Sequence, residues 1–156
     1  MKIISKKLTD TQKFASEVMT KLENEYEGGD QALLICLFGN LGAGKTAWVS
    51  ACAKYLGVKE HVTSPTFVIL KNYDLKNRIF KRLIHIDAYR LERAEELTNL
   101  GWKEMIADKS NIIFLEWPER VSEILPLTSV KIYLNHLGET QREIKIQWLK
   151  KIPKRE

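Results

Sequence analysis

An α/β fold, three layers deep on a mixed sheet that includes antiparallel hairpins, is predicted by three observations. A glycine-rich turn joins an apolar strand to a helix, a second apolar strand ends abruptly in a carboxylate, and two pairs of short strands lie too close together for crossover helices. The 156 residues are one domain's worth of chain. A chain of this size buries roughly 70% of its unfolded surface around one core.

In chain order, Met1 to Asp10 is charged and lacks an apolar stretch of signal-peptide length, and no apolar run in the sequence is long enough to span a membrane. Thr9 or Asp10 can cap the first helix, in which Phe14, Val18, Leu22 and Tyr26 recur every fourth residue until Gly28-Gly29 stops it. Ala32 to Phe38 is an apolar strand, and Ala47 to Leu56 is a helix closed by Gly57. Between them, Gly39 to Thr46 reads Gly-Asn-Leu-Gly-Ala-Gly-Lys-Thr, the phosphate-loop pattern in its required strand-to-helix setting. Backbone N–H groups and the helix dipole converge there on one point, which suits a polyphosphate. The candidate nucleotide-binding residues are Asn40, Leu41, Gly42, Ala43, Gly44, Lys45, Thr46 and Ala47. Lys45 can reach the β and γ phosphates, and the Thr46 hydroxyl can ligate Mg²⁺. The fold class is therefore a three-layer P-loop NTPase fold.

Val58 to Thr66 lacks periodicity and carries Thr63-Ser64-Pro65-Thr66. Ser64 and Thr66 either form a switch loop that senses the γ phosphate or belong to an ordinary turn. Thr66 to Tyr73 and Ile79 to Asp87 read as an antiparallel hairpin. Period-two geometry puts His85 and Asp87 on one face at the strand end where ligands of α/β sheets collect. An ionised aspartate is a poor proton acceptor, so Asp87 either orders water or the metal's water shell, or caps a helix beginning near Leu91 or Glu92. His85 alone reads as a partly buried structural histidine, and Arg90 as a surface ion-pair partner.

Glu92 to Leu100 is a helix, Gly101 breaks it, and Trp102 to Ala107 adds a turn. Asn111 to Glu116 has the Walker-B arrangement, a buried strand that carries an acid out beside the phosphate loop, where Mg²⁺ needs oxygen ligands. Here the acid is Glu116 in place of the usual aspartate, one methylene longer. The Trp117 ring can face the core, the nucleotide or a partner. Pro118 starts a helix that runs from Glu119 to Leu125, and Val130 to Asn135 pairs with Glu143 to Trp148 across a turn at His136 to Thr140.

With 25 Lys+Arg against 20 Asp+Glu the formal charge is +5, spread along the chain. That is a weak nucleic-acid signal. Residues 1–149 are expected to form a single P-loop ATPase domain, and 150–156 a solvated basic C-terminal tail. Cys36 and Cys52 are not spaced like metal ligands and read as small buried hydrophobes of a reduced, cytoplasmic protein.

The phosphate loop together with Thr63-Ser64-Pro65-Thr66-Phe67, His85-Ile86-Asp87-Ala88-Tyr89-Arg90 and Phe114-Leu115-Glu116-Trp117-Pro118-Glu119 resembles the bacterial TsaE family, formerly YjeE, over residues 10 to 148. The resemblance implies an ATPase used in making threonylcarbamoyladenosine in tRNA, acting with the TsaD and TsaB proteins and meeting tRNA only through that complex. It further implies ATP and Mg²⁺ as cofactors, with Lys45 and Thr46 on phosphate and metal. Glu116 would be the Walker-B carboxylate, Asp87 would be required for hydrolysis, Trp117 would sit at a functional strand end, and Ser64 to Thr66 would be the nucleotide-responsive segment. Two other readings stay open from the residues themselves. A small-molecule kinase would need an arginine-rich lid, yet Arg78, Arg82, Arg90 and Arg93 are scattered. A nucleotide-gated interaction module would bind without hydrolysing. Adenine is the expected base, since the guanine-reading Asn-Lys-x-Asp box does not occur.

Overall fold

The structure is a computed structural model that describes residues 1–65 and 68–148. Among the described residues seven strands and four α-helices follow in the order β1 (Lys2–Ser5), α1 (Leu8–Glu25), β2 (Leu33–Phe38), α2 (Lys45–Tyr55), β3 (Leu70–Asp74), β4 (Arg82–Asp87), α3 (Ala94–Asn99), α4 (Trp102–Ala107), β5 (Asn111–Glu116), β6 (Val130–His136) and β7 (Arg142–Gln147). The sheet order is β1-β7-β6-β2-β5-β4-β3. Its centre is parallel, with β2 between β6 and β5 and β4 beyond β5, and its flanks are the two antiparallel hairpins. The mixed sheet follows from loop length, since a parallel neighbour needs a crossover that neither hairpin turn can hold.

Each face of the sheet has its own core. Phe14, Val18, Met19 and Leu22 of α1 and Trp48, Val49 and Cys52 of α2 pack on Ile35, Leu37, Phe114, Ile132 and Ile144. Leu97, Trp102 and Val121 pack on Leu34, Cys36, Ile84, Ile86 and Leu115 on the other side. The three layers result from continuous apolar runs in the central strands, which bury both faces. Cys36 and Cys52 are both buried and belong to different cores. Burial pushes the Cys36 thiol up to about 11. No helix among the described residues is long and apolar enough to cross a membrane.

Several boundaries differ from the sequence reading. Residues 2–5 form a strand the sequence did not announce, antiparallel to β7. Helix α1 starts at Leu8, so Thr9 and Asp10 lie inside its first turn; Asp10 reaches back to accept the Lys6 N–H at 2.9 Å, and Lys7 is the cap. The expected end of α2 is found: Gly57 adopts φ 89°, with its N–H on Lys54 O and the Val58 N–H on Ala53 O, a Schellman closure. The expected helix from Glu119 to Leu125 is a 3₁₀ segment, Pro118–Ile124, broken at Val121 where φ is −133°. The first hairpin is shorter than read, its strands beginning at Leu70 and Arg82. Thr66 and the tail 150–156 lie outside the described residues.

Candidate functional site

The carboxyl edge of the parallel strands gathers the residues singled out above. Strand β2 delivers the loop 39–44, and α2 begins at Lys45 with Gly44 as its cap in the left-handed region, φ 100°. A side chain at Gly39 would meet the Leu134 carbonyl oxygen at 2.6 Å, so the loop can lie this close to β6 only with glycine there. The first helical bond runs from the Trp48 N–H to Gly44 O, which leaves the Lys45, Thr46 and Ala47 amides at the open helix start. Within the loop, Leu41 is exposed at the tip while Ala43 is buried in the first core.

Parallel register brings the acids together. Glu116 pairs with Leu37 of β2 on one side and with Asp87 of β4 on the other, so both carboxylates share the sheet face that α2 covers. They are 3% and 6% exposed, and Lys45 between loop and sheet is 5% exposed. The Thr46 hydroxyl donates to Glu116, with Oε1 at 3.1 Å and Oε2 at 3.2 Å. His85 Nε2 lies 2.6 Å from Glu116 Oε2. Lys45 Nζ donates to the carbonyls of Gly39 and Asn40 and sits 4.2 Å from the centre of the Trp117 ring. Burial lowers the lysine's pKa, and Glu116, Glu119 and Asp87 oppose that shift. Two neighbouring buried carboxylates are repulsive on their own. A cation is what this corner of the sheet favours.

Asp87 accepts from the Ser64 hydroxyl at 3.1 Å and from the Tyr89 N–H at 3.0 Å, so it braces the loop after α2 and its own turn, while α3 starts only at Ala94. Trp117 turns left-handed immediately after β5, with φ 59° and ψ 51°. This brings its ring over Lys45 and to 4.9 Å from the Tyr89 ring, itself 5.6 Å from the Arg120 guanidinium. Trp117 is half-buried and packs against the second core. Ile69, the other non-glycine residue at positive φ among the described residues, accepts the Asp87 N–H and donates to Pro65 O. A branched side chain held in that region marks a locally constrained backbone.

Sequence reasoning missed the β6–β7 side of the loop. A side chain added at Gly44 would lie 3.3 Å from Arg142 Nε, and one at Gly42 would lie 3.8 Å from His136 Nε2. Arg142 Nε is buried without a hydrogen-bond partner among the described residues. The signal was present in the alternation. The core-facing positions Ile146 and Ile144 lead to Arg142, and Ile132 and Leu134 lead to His136, its register partner. An apolar face that turns basic where it reaches a phosphate loop points to an anion.

The donor set fits Mg²⁺ and a nucleotide phosphate. Mg²⁺ is commonly held by one or two carboxylates together with phosphate oxygens, and Thr46 and Glu116 supply hard oxygens at one point. Among the described residues no three His, Cys, Asp or Glu side chains cluster as a self-sufficient metal cage.

Residues 5–144 match the family model of the threonylcarbamoyl adenosine biosynthesis protein TsaE. The chain is 34% identical over 146 residues to the tRNA threonylcarbamoyladenosine biosynthesis protein TsaE of Treponema pallidum, covering 94% of this chain and 99% of that protein. It is 34% identical over 139 residues to the protein of the same description from Aquifex aeolicus, covering 88% of each. The crystal structure of Bacillus subtilis YdiB superposes with a TM-score of 0.73 at 25% identity, over 96% of this chain and 86% of that one.

Proposed function

This chain belongs to the TsaE family of tRNA threonylcarbamoyladenosine biosynthesis proteins, and from that membership we propose that it binds and hydrolyses ATP with Mg²⁺, acting with TsaD and TsaB. The observation that carries the reading is the hydrogen-bonded pair of Thr46 and Glu116, set beside Lys45 at the head of a glycine-cradled helix. In this reading the loop amides from Asn40 to Ala47 cradle the phosphates, and Lys45 leaves the Gly39 and Asn40 carbonyls to meet them. Thr46 and Glu116 would hold the cation, which when bound neutralises charge on the phosphate oxygens. Asp87, braced by Ser64 and Tyr89, orients the attacking water. Arg142 and His136 flank the loop on the β6 side, away from the carboxylates.

Among the described residues the chain is spent on two hairpins and not on a lid or an acceptor domain, so further water exclusion and transition-state charge are expected from a partner. Hydrolysis by the isolated protein is expected to be slow. A TsaD and TsaB complex is expected to raise it about tenfold or more, equivalent to roughly 1.4 kcal/mol of barrier. The test is phosphate release from ATP and from GTP, with the protein alone and with the partners added. Fast turnover that ignores the partners would defeat the proposal and favour a kinase, to be pursued by screening phosphate acceptors. Tight binding with no release under any condition would favour a nucleotide-gated interaction module.

Glu116→Gln keeps the shape and the contact with Thr46 but removes the charge. It is expected to blunt the Mg²⁺ dependence of ATP binding, measured by calorimetry over a Mg²⁺ series. An unaltered metal titration would count against the Walker-B role.

A further inference from the structure

We infer that His85 is the positioning residue of this site, a buried clamp that fixes the Glu116 carboxylate in the orientation that offers oxygen to a divalent cation; the inference rests on the Mg²⁺–nucleotide reading above. Glutamate brings one more rotatable bond than aspartate to a strand end, and Mg²⁺ demands near-ideal octahedral geometry. A ligand that swings serves it badly. Here the carboxylate is pinned twice, by the Thr46 hydroxyl at 3.1 and 3.2 Å and by His85 Nε2 at 2.6 Å. The second bond crosses diagonally from β4 to β5, since His85 is in register with Phe114 and Glu116 lies two residues further along.

The chemistry of the ring supports a task beyond filling space. His85 is fully buried, with Nε2 on the carboxylate and Nδ1 without a hydrogen-bond partner among the described residues. An unpaired buried nitrogen costs stability, and its strand neighbours Leu83, Ile84 and Ile86 show that apolar side chains fill adjacent positions. A ring nitrogen facing a carboxylate carries the proton, and one facing no acceptor is better left as a lone pair, which selects the Nε2–H tautomer. Because the ring meets no solvent, it acts on an incoming nucleotide only through Glu116. Outer partners of this kind typically govern metal affinity by tenfold to a hundredfold, as an order of magnitude.

The test measures ATP affinity of the full chain by calorimetry over a Mg²⁺ series for the wild type, His85→Leu and His85→Gln. His85→Leu is expected to raise the Mg²⁺ needed for half-maximal effect by about tenfold or more, with ATP affinity in the absence of Mg²⁺ unchanged. His85→Gln retains an N–H donor at similar reach and is expected to recover most of the loss. Histidine side-chain NMR of the wild type provides an arm that needs no variant at His85. The His85 ring is expected as the Nε2–H tautomer, with that proton's resonance displaced by Glu116→Gln. A folded His85→Leu protein with the wild-type Mg²⁺ midpoint would overturn the inference, as would a glutamine variant no better than leucine or a ring protonated on Nδ1 alone. A wild-type protein whose ATP affinity ignores Mg²⁺ would overturn the metal reading itself, a result distinct from all of these.

Discussion

Lys45→Ala is expected to weaken ATP binding by roughly tenfold to a hundredfold, the equivalent of about 1.5 to 3 kcal/mol for one charge-assisted phosphate contact. The amine sits at the head of α2 beside the open amides of the loop, where it donates to its own loop carbonyls, lies against the Trp117 ring and feels the nearby carboxylates. Those contacts partly replace lost hydration, and phosphate oxygens would replace it better. Removing the side chain should leave the fold standing, because the core around α2 is built from Trp48, Val49 and Cys52. The measurement is calorimetric titration with ATP alongside thermal unfolding. A folded variant with wild-type affinity would remove the phosphate-loop assignment.

Asp87→Asn is expected to bind ATP normally and to hydrolyse it about tenfold to a hundredfold more slowly, a barrier increase of roughly 1.4 to 2.8 kcal/mol. The amide oxygen can still accept the Tyr89 N–H, and the Ser64 hydroxyl retains a partner, so the local geometry survives while the charge that orders water is lost. The substitution also relieves repulsion against Glu116, its register partner. It also gives up the attraction between Asp87 and Lys45, so little net change in stability is expected. Single-turnover phosphate release read beside equilibrium affinity separates the two effects. A wild-type rate would return Asp87 to a purely structural role in bracing its turn.

Legibility in the sequence tracked the range of the interaction. The loop 39–46, the helix behind it and the strand ending at Glu116 were readable because motif, capping glycine and apolar run are all local. Parallel pairing of β2 with β5 then brings loop and carboxylate to one edge. Strand β1 was not readable, since Lys2-Ile3-Ile4-Ser5 has no clean period and its strand form comes from pairing with β7 far along the chain. The start of α1 was displaced because Asp10 serves as an acceptor from inside the first turn and not as the cap. The segment after Pro118 looked helical from composition, yet it forms tight 3₁₀ turns broken at Val121. The bond from His85 to Glu116 needed the register of two strands, which no single segment encodes. Arg142 was hidden for a simpler reason, in that the alternation of its hairpin was taken for burial alone.

The two hydrophobic cores have a mechanical consequence. They lie on opposite faces of one sheet, with α2 anchored in the first and the turn around Trp117 and Val121 resting on the second. At the carboxyl edge the layers touch through a lysine amine against an indole ring, a contact that holds far less firmly than interlocked side chains. A nucleotide gripped by Lys45 beside Trp117 would act as a rivet between the two slabs, reinforcing the lysine–indole contact where they meet. Occupancy of the loop would thereby set the stiffness of this whole end of the molecule, and an assembly that docks there would meet a rigid edge or a loose one according to whether the nucleotide is in place.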